Sequence, residues 1–276
     1  MTQTNNIPES IRKYFKKPIE IELYASTLGI NKDDWTKVNV NSDKNDAAKI
    51  MIGNSFDILP IIGHNCKYEK YWGTDIWGDF SSINPKQKEI GSNSIYYLTS
   101  FRDLIIKFID EENNFYFLND HKDIVGLITI AHFNSDEVYL FLYQLLSKLE
   151  RQLGGLLKYH DVNEVISIIK RNGTWNDCRL KVYDGQVKNS VERFWWEYIS
   201  INDLKVLIKE YSLQEKCGYK TKDHFNSDFK KLINERHKLA HPMNNLITNK
   251  ESLNEINDFI NISERIISEL NHEIKL

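Results

Sequence analysis

Residues 124–130 read "IVGLITI", an apolar run interrupted only by a glycine and a threonine. It is too short for an ordinary helix and rich in β-branched side chains, so it reads as a buried strand. Just upstream, "HKD" (His121–Asp123) suits a tight turn, and "NFYFLND" (Asn114–Asp120) reads as a strand leading into it. Further back, "FRDLIIKFIDE" (Phe101–Glu111) has helical apolar spacing and "NSIYYLTS" (Asn93–Ser100) is an extended entry. Much of this order occurs earlier as well. "KVNV" (Lys37–Val40) alternates like a strand, and "NDAAKIMIG" (Asn45–Gly53) has a capping-type start, a helical spacing and a closing glycine. "DILPII" (Asp57–Ile62) is a short buried strand whose proline predicts an edge or a strand end. Between the two copies, residues 68–93 are rich in Gly, Ser, Asn and aromatics; they are expected to form an irregular connection with at most one strand.

Past residue 135 the character changes. "DEVYLFLYQLLSKLERQLGGLLKY" (Asp136–Tyr159) carries leucines at helical spacing, with Val138, Leu142, Leu145, Leu149, Leu153, Leu156 and Leu157 on one broad face. Shorter helices are predicted over 162–173 and over 190–212, the latter restarting near Asn202–Asp203. Another is expected from Ser227 to about His241, and a last one over 251–274. A four- or five-helix bundle is the simplest way to bury those stripes. At the start, "ESIRKYFKK" (Glu9–Lys17) could form a short amphipathic helix.

Composition narrows the classes. The 36 Lys+Arg against 39 Asp+Glu leave a formal charge of −3, so no global basic field points to nucleic acid. Cys66, Cys178 and Cys217 are odd in number, far apart and without a CxxC pair, which argues against a zinc site or a disulfide framework. A reducing cytoplasmic setting is expected. No apolar run approaches the ~18 residues of a membrane span, so no membrane partner is expected.

The repeated order over roughly Trp35–Asn134 resembles a tandem pair of cystathionine β-synthase (CBS) domains. "FDILPII" (Phe56–Ile62) matches the family's proline-bearing apolar strand, and Gly126, Leu127, Ile128 and Thr129 match its glycine–apolar–apolar–Ser/Thr strand. Where that family often has a ribose-binding aspartate, this chain has His132, and in the first copy "YWGTDIW" replaces the glycine strand. The resemblance implies a regulatory adenine nucleotide, with Ile58, Pro60, Gly126, Thr129 and His132 as its ligand-binding residues.

"NERHKLAHP" (Asn234–Pro242) raises a chemical question of its own. Positions five apart on a regular helix point about 140° apart, so Arg236 and His241 would diverge. Pro242 ends the helix at His241, because a residue before proline leaves the α region. The imidazole is then free to turn back. A helix C-terminus favours imidazolium, which suits proton transfer near neutral pH. The arginine fork fits phosphate oxygens and developing charge on a phosphorane. A neighbouring 2′-hydroxyl as nucleophile would select RNA over DNA.

These residues also resemble the signature of HEPN domains, helical bundles with an arginine, a polar neighbour and a histidine four to six residues on. Arg236, His237 and His241 match it. The resemblance implies catalysis by Arg236 and His241 with His237 beside them, at a composite site of a homodimer. The expected fold is α+β overall: an N-terminal extension (1–34), an α/β CBS-like module (35–135) and an all-α HEPN-like bundle (136–276). The expected function is a ligand-regulated endoribonuclease that needs no metal or other cofactor for catalysis. RNA would be its substrate, in a toxin or antiviral defence role with an antitoxin or other regulatory partner. The alternative is a non-catalytic nucleotide-sensing or partner-binding adaptor.

Overall fold

The computed structural model describes residues 22–276 apart from 66, 76–77, 81–82, 92, 112, 173–181, 183–184, 186–194, 241–244 and 274–276. The helix expected at Glu9–Lys17 therefore lies outside the described residues, as do Cys66 and Cys178. The chain is α+β. Two four-stranded sheets occupy the N-terminal half, and helices pack together in the C-terminal half.

The first repeat runs β2 (Val38–Asn39), α2 (Lys44–Asn54), β3 (Ile58–Ile62), β4 (Tyr68–Gly73). The second runs β6 (Ser94–Tyr96), α3 (Phe101–Asp110), β7 (Phe115–Asn119), β8 (Ile124–Thr129). In each, the helix crosses between two parallel strands and the second of these turns back as an antiparallel hairpin. Val38 and Ile95, Asp43 and Ser100, Ile58 and Phe115, and Ile61 and Leu118 hold matching places, each pair 57 positions apart. Both helices start on a side-chain cap, Asp43 accepting from Asn45 and Asp46 amides and Ser100 from the Asp103 amide.

The segments ahead of the repeats are exchanged. β5 (Lys86–Glu89), which precedes the second repeat, pairs with β4 of the first. β1 (Ile30–Asn31), which precedes the first repeat, pairs with β8 of the second. The sheet orders are therefore β2-β3-β4-β5 and β6-β7-β8-β1. Residues 22–34, set apart by the sequence as an extension, are built into the fold: Leu23, Ala25 and Leu28 are core residues, the last two in the short helix α1 (Ala25–Leu28).

Three sequence expectations need correction here. Residues 68–93 hold two strands, β4 and β5; the hairpin partner "YEKYWG" does not alternate in burial and so hides among polar residues. Pro60 sits in an interior strand, since β3 lies between β2 and β4. β2 reaches only Ile61 and Ile62, so that ladder ends before the missing proline amide. Gly53 does not stop α2; the helix runs to Asn54 and Ser55 takes the left-handed cap at φ 55°.

Where the two sheets meet, Trp35, Ile58, Tyr71, Ile90, Phe115, Phe117 and Leu127 form one apolar cluster. Ile58 matches Phe115 and Tyr71 matches Leu127 in the repeat, so the seam is built from equivalent positions. Rings meet edge-on, with Trp35 and Tyr68 centroids 5.0 Å apart and Tyr71 and Phe115 5.4 Å apart.

The helical half comprises α4 (Asp136–Leu156), α5 (Val162–Arg171), α6 (Ile201–Glu210), α7 (Lys222–Leu239) and α8 (Lys250–Glu273) among the described residues. α8 packs on α4, α7 and α3. One apolar core thus continues from the second repeat (Leu104, Phe108, Tyr116) through Phe133 into the helices (Leu142, Leu207, Phe229, Phe259), passing residue 135 without a break. Arg102 of α3 pairs with Glu264 of α8 across the same boundary. Trp195 and Trp196, in a 3-10 turn over 195–198, pack against this core. A Cβ on Gly154 would lie 2.6 Å from Trp196, so only glycine lets α4 take that ring.

Candidate functional site

α7 carries the Arg–His motif. Its N-cap is Thr221, whose hydroxyl accepts from the His224 amide, so the helix begins well before the Ser227 start expected from sequence. Phe225, Phe229, Leu232 and Leu239 make its buried face, with the Phe225 and Phe229 rings 4.4 Å apart. Glu235 falls on that same face and is 2% exposed. Burial pushes its carboxyl above the usual range, against the pull of Lys238. Lys238 sits 2.7 Å from Glu235 and 2.5 Å from Glu255 of α8, and those two carboxylates outweigh the effect of its own burial and raise its pKa. The other Glu235 oxygen, Oε2, is buried without a hydrogen-bond partner among the described residues.

The helix ends two residues before the expected stop at His241. Leu239 is its last residue, and the Ala240 amide still donates to the Arg236 carbonyl at 3.0 Å. Arg236 is half-buried in the last turn, and among the described residues its guanidinium makes no hydrogen bond or ion pair. Glu235, its neighbour in sequence, faces inward and is taken by Lys238. His237 is exposed. His241 lies outside the described residues.

Beyond residue 245 the chain is tied to the second repeat. Ile247 donates its amide to Asn134 Oδ1 and accepts from Asn134 Nδ2, both at 2.8 Å. Asn249 and Ser252 cap α8 reciprocally: the Ser252 amide donates to Asn249 Oδ1 at 2.9 Å and the Asn249 amide to Ser252 Oγ at 3.1 Å. Lys250 donates to the Glu111 carbonyl at the end of α3, 2.5 Å away.

Of the five residues expected to hold a ligand in the repeats, Ile58 and Gly126 line different cavities. Ile58 lines a cavity of about 330 Å³ at the seam, together with Asp57, Thr74, Asp75, Lys88, Asn93 and Asn114. Gly126 lines another, about 670 Å³, with Asn31, Asp34, Tyr97 and Asp120. Its lack of a side chain has a local cause: a Cβ there would be 2.7 Å from the Ile30 carbonyl of β1. Pro60 is buried in β3 opposite Tyr71. Thr129 and His132 engage each other, the His132 Nδ1 accepting from the Thr129 amide at 3.0 Å with Thr129 Oγ1 2.9 Å away. That pair caps the 3-10 turn over Ile130–Asn134. Burial holds the half-buried His132 ring below its usual pKa.

The volume of the seam cavity falls in the range of small-ligand sites. Asp57 accepts from the Gly78 amide at 2.9 Å, and its burial raises its pKa. Asp75 is held ionised by Lys86 and Lys88, which lie within hydrogen-bond reach of it. The sequence signal for this cavity was the repeat itself: Asp57 and Asn114 are equivalent positions that the seam brings together. No family model matches the chain, and no curated protein gives a significant match. Among the described residues no helix is long and apolar enough to cross a membrane.

Proposed function

We propose that the protein is a ligand-regulated endoribonuclease of the HEPN type, cutting RNA at Arg236 and His241. One observation carries the reading: Arg236 is a half-buried guanidinium, unpaired among the described residues, in a last helical turn where Glu235 and Lys238 pair with each other. A permanent cation kept free beside a terminating helix is poised for an external anion. His241 takes the proton of the ribose 2′-hydroxyl, directly or through water, and Arg236 stabilises the charge that builds on the phosphorane. The 2′-oxygen bonds to phosphorus, the 5′-oxygen leaves and takes up a proton, and the products carry a 2′,3′-cyclic phosphate and a 5′-hydroxyl. No metal takes part in this scheme. His237 borders the site on the solvent side. Two copies bring two motifs to one cleft, and a toxin or defence role with an antitoxin-like partner accords with that activity.

The paired βαββ units, with their hairpins and seam cavity, support a CBS-like regulatory module. The regulatory ligand is an adenine nucleotide seated at the seam rather than on Thr129 and His132, which bond to each other. The same cavity favours a second reading, a nucleotide-sensing adaptor that does not cut.

The experiment is cleavage of labelled RNA in EDTA by the wild type, Arg236→Ala, His241→Ala and His237→Ala. The first two variants should lose at least ~10²-fold in rate and His237→Ala much less. Cutting by the wild type that persists in both Arg236→Ala and His241→Ala removes the reading. An inert wild type whose melting temperature rises with an adenine nucleotide favours the adaptor.

A further inference from the structure

We propose that the groove between α6 and α7 holds the phosphate backbone of single-stranded RNA, with Lys205, Lys209 and Lys230 as its contacts; this rests on the reading above for its choice of RNA. α6 and α7 pack on each other. Asn202, Lys205, Val206 and Lys209 recur at helical spacing and, with Glu210, are the residues of α6 left open to solvent. Lys209 stands one turn from Lys205 on α6, and the exposed Lys230 faces Lys205 from α7, close enough for the charges to oppose one another. Val206 beside Lys205, and Ile233 one turn from Lys230, add apolar surface that is only partly buried against the main core.

Nothing neutralises these three ammonium groups. Among the described residues none of them makes a hydrogen bond or an ion pair. Apart from Asp223 in the first turn of α7, the carboxylates of both helices are engaged elsewhere. Asp203 is buried and accepts from the Ser200 amide and hydroxyl, and Glu210 pairs with Arg171. On α7, Asp228 pairs with Arg265 and Glu235 with Lys238. Lys231, next in sequence to Lys230, shows the contrast, since it reaches α8 and pairs with Asp258. α7 thus sorts its charges, with matched pairs toward α8 and an unmatched cation toward α6. Burial, with the two lysines nearby, presses Lys205 below the ordinary lysine range. Like charges held together oppose folding, and a bound polyanion relieves that repulsion.

The place of the groove favours RNA over an acidic protein surface. Lys230 and His237 lie seven residues apart, close to two full turns, so they share the exposed stripe of α7. The unpaired Arg236 follows Lys230 on the same helix, about 9 Å further along its axis. A strand laid over the lysines is therefore led toward the arginine. Single strands are flexible enough to follow a cationic groove, which holds them without reading their sequence.

The test measures RNA binding apart from cutting. Binding of a labelled single-stranded RNA in EDTA is titrated at several salt concentrations in an Arg236→Ala background, where the RNA stays whole. Adding Lys205→Ala, Lys209→Ala and Lys230→Ala should weaken binding at least ~10-fold and reduce the salt slope by ~2, at ~0.7 for each phosphate contact on a single strand. Adding Lys37→Ala, Lys44→Ala and Lys49→Ala removes the same charge from the first repeat and should change affinity by less than ~2-fold. Should the alanine groove variant fail to fold, glutamine at the same three positions takes its place. With Arg236 restored, the groove variant should raise KM and keep kcat within ~2-fold. A groove variant with unchanged affinity and salt slope overturns the track, leaves cleavage by the wild type standing and assigns the lysines to an acidic protein surface. A first-repeat variant weakened as much as the groove variant overturns it too, since net charge alone then governs binding. Groove-dependent binding by a wild type that never cuts removes the cleavage reading and keeps the track. A wild type that neither binds nor cuts removes both.

Discussion

The first repeat stands on a small core of its own, whereas the second shares its core with the helices. Val38, Ala47, Met51, Leu59, Ile61 and Trp72 pack under α2 as a separate cluster. Their counterparts Ile95, Leu104, Phe108, Tyr116, Leu118 and Ile128 all lie in the main core. α2 buries only Ala47 and Met51, while α3 buries Phe101, Leu104, Ile105 and Phe108. One topology thus serves two energetic roles. A unit with few buried contacts opens at lower cost than one continuous with the global core. In the regulatory role proposed above, the first repeat would respond while the second transmits.

The sharpest break of that comparison is a matched pair of truncations. Phe108→Ala should cost about 3–5 kcal/mol and lower the melting of the whole molecule. Met51→Ala, at the equivalent place, should instead speed amide exchange within residues 38–73 and leave the protection of α7 and α8 unchanged. Loss of protection across both halves in Met51→Ala would show that the repeats are not energetically distinct.

A smaller effect is expected where the exchanged strands cross. Gly126 of β8 and Lys70 of β4 are equivalent, pairing with Asn31 of β1 and Glu89 of β5. The Ile30 carbonyl approaches too closely for a Cβ at Gly126, so Gly126→Ala should cost ~1–3 kcal/mol and release β1. At Lys70 a full side chain is accommodated beside Glu89, and Lys70→Ala should stay within ~0.5 kcal/mol. Equal effects in thermal denaturation would mean that the two crossings are alike after all.

The mildest test concerns acid. Burial lowers the folded-state pKa of His132 below its ordinary 6.5. Below pH 6.5 the unfolded chain takes up a proton that the folded ring refuses, so this contribution is full above 6.5 and lost as pH falls toward the folded value. His132→Gln should therefore show a shallower loss of stability between pH 6.5 and 5 than the wild type, measured by denaturant melts.

Much of this was readable in the chain. The apolar strands and the turn at His121 follow from local chemistry, while the cap of α2 falls on Asp43, two residues before the Asn45 start expected from the sequence. At the turn Asp120 accepts from the Lys122 and Asp123 amides, and His121 takes φ 74°. What stayed hidden depends on distant partners. β4 and β5 carry Lys, Glu and Gln at exposed positions that follow no alternation, and β1 is defined only by a strand far along the chain. At the motif, α7 stops at Leu239, two residues before the end that Pro242 predicted. The inward turn of Glu235 was not legible, since its face is set by the packing of α7 against α8 rather than by adjacency to Arg236. The Asn134–Ile247 hydrogen-bond pair joins residues 113 positions apart and leaves no local trace.

The strand exchange has a consequence for biosynthesis. Asn31 emerges from the ribosome long before Gly126, its partner, has been made. β1 must wait, unpaired, through the synthesis of the entire first repeat and most of the second. Such non-local pairing slows folding and leaves an open edge meanwhile. The nascent chain can close its first sheet once β5 is out, but the second sheet gains its last strand only when the end of β8 turns back to meet the beginning of the protein.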